Sequence, residues 1–158
     1  MDRTMSIVSL AVTAVVLSGW TSSSPRAQAG DACALLTTAQ VSTALGTTVE
    51  AGKPLVASNP KSCGWAPPGG PQIDGKKVTV TWTTPKSFET GKTPMQGIEK
   101  APLAGVGDDA LYITTPGFGT GLNVKKGNTA FQVRVGGFKP DQEKAIEKAL
   151  ALEILKKL

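Results

Sequence analysis

The chain has 158 residues, 40% of them hydrophobic, with 17 Lys and Arg, 12 Asp and Glu, and no histidine. The lack of histidine excludes a Ser-His-Asp triad and, with only two cysteines present, argues against a zinc site. Arg134 is the only arginine after residue 29, and this scarcity of the side chain that best reads phosphates and base edges argues against nucleic acid as a partner.

The first 29 residues have the pattern of a secretory signal peptide. An apolar stretch runs from Ile7 to Leu17, and Ala27-Gln28-Ala29 is the small-residue pattern that signal peptidase recognises. The stretch is shorter than the roughly 20 residues that span a bilayer, so we expect cleavage after Ala29 and no stable membrane span. The sequence thus predicts a signal peptide over 1–29 and a single secreted or periplasmic domain over 30–158.

The leader also resembles a bacterial lipobox in three of four positions. Leu17-Ser18-Gly19 fits, but the fourth position, where a cysteine would carry the diacylglycerol, is Trp20. Without that thiol the lipid has no attachment point. We therefore expect the mature protein to have no lipid anchor.

Cys33 and Cys63 are predicted to form a disulfide, because two cysteines in an exported chain usually pair. The bridge would close a loop of about thirty residues, and the chain-entropy model assigns roughly 3.5–4 kcal/mol to that closure. A nucleophilic thiol would need a base to form its thiolate, and the chain has no histidine to supply one. Two unpaired or intermolecular thiols remain as alternatives.

In chain order, the first predicted element is a helix over 38–45. Thr37 and Gln40 form a Thr-x-x-Gln capping box at its start, and Gly46 can adopt the left-handed conformation that ends it. Extended segments are expected at 48–51 and 55–58, followed by a turn at Asn59-Pro60 and a short strand at 62–66.

The most strongly patterned strand runs from Lys77 to Thr83. Its apolar residues alternate with threonines, so one face should contact the core and the other the solvent. A short helix is expected over 85–92 with Ser87 as its cap. Further strands are predicted at 110–114, 122–126 and 129–135, the last two joined at Gly127-Asn128.

The chain is predicted to end in a helix that begins at Pro140, with an apolar stripe at Ala145, Ile146, Ala149 and Leu150. Helix, strands and helix together predict an α+β fold, in which a twisted antiparallel β-sheet packs against an N-terminal and a C-terminal helix. One disulfide completes this predicted architecture.

Gly105-Val106-Gly107-Asp108-Asp109-Ala110 matches a dinucleotide fingerprint by letter, but a strand rather than a helix follows it. We interpret the segment as a turn whose backbone is hydrogen-bonded by Asp108 or Asp109. A pair of catalytic carboxylates or a calcium site is the alternative. A Ser-Lys dyad also stays open, since lysines and serines are plentiful; we assign no catalytic residue, metal or cofactor.

Phe118 is the first candidate ligand contact, because it lies in the glycine-rich segment 116–121, where no strand face would bury it. The solvent-facing threonines Thr79 and Thr81 are the others. The alternative for Phe118 is an apolar plug over one end of the sheet.

Four short motifs support a resemblance: Cys33-Ala34-Leu35-Leu36-Thr37-Thr38, Leu45-Gly46, Ser62-Cys63-Gly64-Trp65 and the 105–110 segment. Together they resemble small bacterial envelope proteins and lipoproteins of unknown function, which are similar in turn to the Mog1/PsbP-like sandwich. The resemblance covers most of 31–158 and implies the disulfide and the fold, with no catalytic residue to carry over.

The expected function is that of an exported, non-enzymatic binding or accessory domain of the bacterial cell envelope. Its partner would be an envelope protein or a small amphiphilic ligand. The alternatives are a secreted hydrolase with an unrecognised Ser-Lys or carboxylate site, and a small lipid carrier.

Overall fold

The computed structural model describes residues 30–69 and 75–158, so the predicted signal peptide and Trp20 lie outside the described residues. Within those two ranges the chain forms one seven-stranded sheet, three α-helices and a 3-10 turn at Ala32–Ala34. The helices are α1 (Thr38–Leu45), α2 (Pro85–Gly91) and α3 (Pro140–Leu155). The strands are β1 (Lys53–Val56), β2 (Asn59–Trp65), β3 (Lys77–Thr83), β4 (Glu99–Pro102), β5 (Asp109–Thr115), β6 (Gly119–Lys126) and β7 (Thr129–Gly136).

Every pair of neighbouring strands is antiparallel, and the order across the sheet is β1-β2-β3-β7-β6-β5-β4. The last strand in sequence therefore lies at the centre, between β3 and β6. This architecture confirms the predicted α+β fold with helices at both ends of the chain.

The sheet has an inner face, which α1 and α3 cover, and an outer face. The alternation predicted for β3 is confirmed: its valines are buried on the inner face, and its threonines are half-buried on the outer face. Helix α3 packs on β6 and β7, and α1 packs on α3. The core lies between these helices and the inner-face side chains, of which the fully buried ones include Val78, Val80, Leu122, Phe131 and Val133.

Helix α1 has the predicted bounds and both predicted end signals. Thr37 Oγ1 accepts a hydrogen bond from the Gln40 N–H at 3.2 Å, and Gln40 Oε1 accepts one from the Thr37 N–H at 2.9 Å. Gly46 ends the helix at φ 62°, where a side chain would be strained.

The predicted disulfide is confirmed. Cys33 and Cys63 are bonded, with Cα atoms 5.1 Å apart, and Cys63 is buried on the inner face. The bridge ties the 3-10 turn to β2, and thereby holds the entry to α1 against the sheet.

Two local predictions are wrong, the strand predicted at 55–58 is shifted to Lys53–Val56, and one strand was not predicted. Residues 48–51 form no strand, and Asn59-Pro60 begins β2 instead of forming a turn. Val56 pairs with Asn59, so Ala57 and Ser58 form the two-residue turn of the β1–β2 hairpin. Strand β4 was not expected because it lacks apolar alternation; as an edge strand it tolerates Pro102.

The predicted apolar stripe of α3 is also wrong in part. Ala145 and Ala149 are exposed, whereas the buried residues of this helix are Glu143, Glu147, Leu150, Ala151 and Ile154. Their spacing of i, i+4, i+7, i+8 and i+11 is one helical face, and it begins with two glutamates. In the described ranges no helix is long and apolar enough to cross a membrane.

The short helix α2 lies on the outer face. Thr84, not the predicted Ser87, is its N-cap, and its side-chain oxygen accepts a hydrogen bond from the Ser87 N–H at 3.0 Å. Phe88 packs against Leu111 and Ala130 and so covers one half of the outer face. We call this the α2 half and the remainder the open half.

Candidate functional site

The open half of the outer face contains a groove of about 810 Å³, within the size range of small-molecule sites. It runs across the outer-face residues of β3 and β7 and continues over the end of β7 to the first turn of α3. The described side chains that line it are Leu55, Lys77, Thr79, Phe118, Arg134, Val135, Phe138, Lys139 and Glu143.

Glycines in the strands make room for the cationic side chains of this groove. A Cβ at Gly136 would lie 3.2 Å from Lys77 Cε, and a Cβ at Gly121 would lie 3.0 Å from Arg134 Cγ. The stems of both cations therefore lie flat across neighbouring strands. A side chain at either glycine would push the cation away from the sheet.

Phe118 forms one wall, with 77% of its surface exposed. It ends the β5–β6 turn, which has Pro116 at its second position and Gly117 at φ 77° at its third, the residue pattern of a type II turn. The Phe118 N–H donates to the Thr115 carbonyl at 2.9 Å, and its carbonyl accepts from Arg134 Nη2 at 2.7 Å. Both backbone polar groups of this exposed aromatic residue are thus held in place.

Leu55 lies at the far side of the groove on the edge strand β1, and 56% of its surface is exposed. A Cβ at Gly64 would lie only 2.7 Å from Leu55 Cδ2, so the leucine side chain rests directly on the backbone of β2. A smaller cavity of about 310 Å³ adjoins it and shares Leu55, Lys77 and Thr79 with the groove.

The groove is positively charged. Three of its described lining side chains are cationic, namely Lys77, Arg134 and Lys139, and one is a carboxyl, Glu143. The described part of the chain contains six ion pairs, and none of them includes any of the three cations. Arg134 donates to the carbonyls of Thr120 and Phe118, which leaves three of its five N–H groups for other partners.

Two glutamates of α3 lie at the inner end of the groove. Glu143 is 6% exposed and accepts a long hydrogen bond of 3.4 Å from the Phe138 N–H. Glu147 is fully buried; it accepts from the Thr120 hydroxyl at 3.1 Å and from the Val135 N–H at 3.1 Å. Glu147 therefore connects α3 to β6 and β7 immediately beneath the groove.

Burial raises the pKa of Glu147 to about 7. Hydrogen bonds from the Val135 N–H and the Thr120 hydroxyl oppose this rise in pKa, as does the positive charge of Arg134, whereas the neighbouring Glu143 adds to it. Since no part of Glu147 is exposed, its carboxyl group cannot touch a ligand bound in the groove. The two glutamates are thus not a solvent-accessible acid–base pair.

Two of the three predicted ligand contacts come together in this groove. Phe118 and Thr79 both line it. Thr81 does not; its hydroxyl is hydrogen-bonded to the Ser62 hydroxyl at 3.1 Å. The site thus shares two residues with the prediction and lies nearer one end of the sheet.

Asp108 and Asp109 have structural partners elsewhere. Asp108 accepts hydrogen bonds from the Gly127 N–H at 2.7 Å and from Lys126 Nζ at 2.8 Å, and these contacts lower its pKa. Asp109 pairs with Lys92. Asp108 thus stabilises the β6–β7 turn, whereas we had expected one of the two to hydrogen-bond the backbone of its own turn.

Sequence reasoning missed the cations of the groove and the buried glutamates. One signal was available for Lys77, because it lies two residues before Thr79 and so shares the outer face of β3. For Glu147 the signal was its i+4 spacing from Glu143 and i−3 spacing from the buried Leu150. No signal in the sequence places Lys139 beside these residues.

Comparison of the chain with family models, with curated proteins and with solved structures finds no match. The resemblance to envelope proteins with a Mog1/PsbP-like sandwich therefore stays a prediction. The side chains and the charge of the groove are therefore the evidence for function.

Proposed function

We propose that this protein is an exported, non-enzymatic binding domain of the bacterial cell envelope, and that its groove holds a small amphiphilic ligand. The observation that carries the proposal is the position of Phe118. A large aromatic side chain stands exposed beside a groove, while hydrogen bonds fix both polar groups of its backbone.

Packing among the described residues gives no reason for this arrangement. A phenylalanine that served the core would be buried, as Phe88 and Phe131 are. An exposed aromatic on a fixed turn instead resembles a ligand contact that is already ordered before binding, which lowers the entropic cost of association. The apolar Leu55 across the groove would contact the same ligand.

Two observations support export. The Cys33–Cys63 disulfide is the kind of bond that persists in oxidising compartments. Residues 1–29 have the composition of a signal peptide. We expect the protein from its native host to begin at Gly30 and to have a mass two hydrogens below that of the reduced chain, which intact-mass analysis would measure.

The two enzyme hypotheses find less support. The hydroxyl groups of Ser62 and Ser87 are hydrogen-bonded to those of Thr81 and Thr84, and the Ser42 hydroxyl accepts a hydrogen bond from the Val49 N–H. The partner of each of these serines is therefore not a lysine. Glu147 is fully buried, so its carboxyl group is not accessible from the groove. A screen for esterase, peptidase and glycosidase activity tests the hydrolase hypothesis directly, and clear turnover by purified protein would favour it.

Native mass spectrometry tests the binding function. Protein purified from its own host should carry a small amphiphile as a mass adduct. Phe118→Ala should raise the Kd of that ligand about tenfold, as expected when one aromatic contact of 1–2 kcal/mol is lost, and should thereby lower the occupied fraction once the protein is diluted below saturation. Met95→Ala is the matched control, because Met95 is 65% exposed and does not line the groove.

Three results are informative here. Loss of the adduct in Phe118→Ala and its retention in Met95→Ala would support the groove as the binding site. Equal occupancy in both variants would place the ligand elsewhere. Wild-type protein with no adduct, and with no affinity for the octyl probes described below, would contradict the binding function.

A further inference from the structure

We infer that the groove selects amphiphiles with an anionic headgroup, such as a phosphate or a carboxylate, over neutral and cationic ones. This inference rests on the proposed function and specifies the chemical class of its ligand. Its physical basis is the group of three cations at the groove, which we call the cationic cluster: Lys77, Arg134 and Lys139.

The cationic cluster is not neutralised within the described part of the molecule. Six ion pairs there neutralise other lysines, including Lys92, Lys125 and Lys126, but none includes a member of the cluster. Glu143, the single lining carboxyl, is almost wholly buried and turned to the Phe138 N–H. The accessible surface that the described side chains form in the groove is therefore cationic.

Arg134 supplies geometric selectivity. Its guanidinium group is held by the carbonyls of Phe118 and Thr120, and its stem lies across Gly121. A guanidinium that is fixed in this way presents its remaining N–H groups without a further loss of side-chain entropy, and planar N–H pairs suit the oxygens of phosphate and carboxylate. The lysines add charge with less directional preference.

Apolar groups flank the cationic cluster on both sides. Phe118 stands at the β5–β6 turn, and Leu55 stands on β1. An anionic headgroup over the cluster would thus have an apolar wall on either side, against which an alkyl or aryl group could pack. Because the groove places apolar surface beside the cations, we expect its ligand to be an amphiphile rather than a free anion.

Isothermal titration calorimetry with four probes tests the inference: octyl phosphate, octyl glucoside, octyltrimethylammonium and inorganic phosphate. Octyl phosphate should bind at least about tenfold more tightly than octyl glucoside, as expected for one well-placed charge-assisted contact. Octyltrimethylammonium should show no binding at the same concentrations. Inorganic phosphate, which lacks the apolar chain, should bind more weakly than octyl phosphate.

Charge-removing variants locate the effect. Lys77→Gln combined with Lys139→Gln should raise the Kd for octyl phosphate by about three- to tenfold and should change the Kd for octyl glucoside by a smaller factor. The matched control is Lys86→Gln combined with Lys148→Gln, which removes the same charge from exposed sites outside the groove. All four lysines are exposed, so both double variants should fold, and their thermal unfolding provides the check.

The outcomes separate this inference from the function on which it rests. Equal affinity for octyl phosphate and octyl glucoside would overturn the charge selectivity and leave the proposed binding function standing. Equal affinity for octyl phosphate and inorganic phosphate would show that the apolar chain adds nothing, and would overturn the claim that the ligand is an amphiphile. An equal loss of affinity in the two double variants would overturn the role of the cationic cluster. Failure of every probe would overturn the inference, and only together with the absence of a native adduct would it overturn the binding function as well.

Discussion

The two halves of the outer sheet face differ in how far a phenylalanine side chain is buried there. In the α2 half, Phe88 is 3% exposed and packs against Leu111 and Ala130. In the open half, Phe118 is 77% exposed and has the groove beside it. Phe88 belongs to α2 and Phe118 to the β5–β6 turn, and the difference in exposure reflects which half of the outer face is covered and not a difference in residue type.

Their charges differ in the same way. At the α2 half, Glu89 pairs with Lys92 and Lys125, and Lys92 also pairs with Asp109. These contacts lower the pKa of Glu89 and raise that of Lys92. The cationic cluster of the open half has no such pairs among the described residues. The α2 half thus neutralises these charges by ion pairs within the protein. Among the described residues, the open half does not.

The largest difference in the free energy of unfolding should come from replacing each of the two phenylalanines separately with alanine. Phe88→Ala removes a buried ring and should lower the free energy of unfolding by about 3–5 kcal/mol. Phe118→Ala removes an exposed ring and should change it by less than about 0.5 kcal/mol. Denaturant unfolding of both variants and of the wild type measures the two values.

The same two variants distinguish a ligand contact from an apolar plug at Phe118. If Phe118→Ala were as destabilising as Phe88→Ala, then Phe118 would be the apolar plug that the sequence left as an alternative. The groove would then lose the observation on which its function rests.

The next largest effect concerns Glu147 beneath the open half. Its pKa is about 7 in the folded protein against a usual value of 4.5, so between these pH values the folded state binds more protons than the unfolded state. The free energy of unfolding should therefore fall as the pH rises from 4.5 through 7, by at most about 3 kcal/mol, and then level off. Glu147→Gln should remove most of this slope.

Denaturant unfolding at pH 5, 6, 7 and 8 measures the slope for wild type and Glu147→Gln. Glu99→Gln is the matched control, because Glu99 is an exposed glutamate on the edge strand β4. A wild-type protein that is more stable at pH 8 than at pH 5 would show that Glu147 is not the dominant titrating group. An unchanged slope in Glu147→Gln would lead to the same conclusion.

The elements that could be predicted are those whose signals are local. The capping box at Thr37 and Gln40, the alternation of β3, and the Gly127-Asn128 hairpin each depend on residues within one turn or one strand. The disulfide follows from the cysteine count and the expected compartment. Strand β4 was missed because an edge strand is specified by its pairing with β5 and not by its own pattern.

The groove could be predicted only in part for the same reason. Phe118 and Thr79 each carried a local signal, namely an aromatic residue in a glycine-rich turn and a polar residue in an alternating strand. Lys139 and Glu143 join them only because α3 packs on β6 and β7, which no short segment encodes. Likewise, hydropathy indicated an apolar stripe on α3 that included Ala145 and Ala149, whereas the helix buries Glu147 because Thr120 and Val135 offer it hydrogen bonds.

The smallest effect should distinguish the lysines of the two halves. Lys125→Gln breaks an ion pair with Glu89 and should lower the free energy of unfolding by about 0.2–1 kcal/mol, an effect that 1 M salt largely removes. Lys77→Gln breaks no ion pair among the described residues and reduces repulsion within the cationic cluster, so it should leave stability unchanged or raise it by a few tenths of a kcal/mol. Denaturant unfolding at 0.05 M and 1 M salt compares the two variants. If Lys77→Gln were the more destabilising at low salt, the cationic cluster would have a structural role, and its charge could no longer be attributed to a ligand.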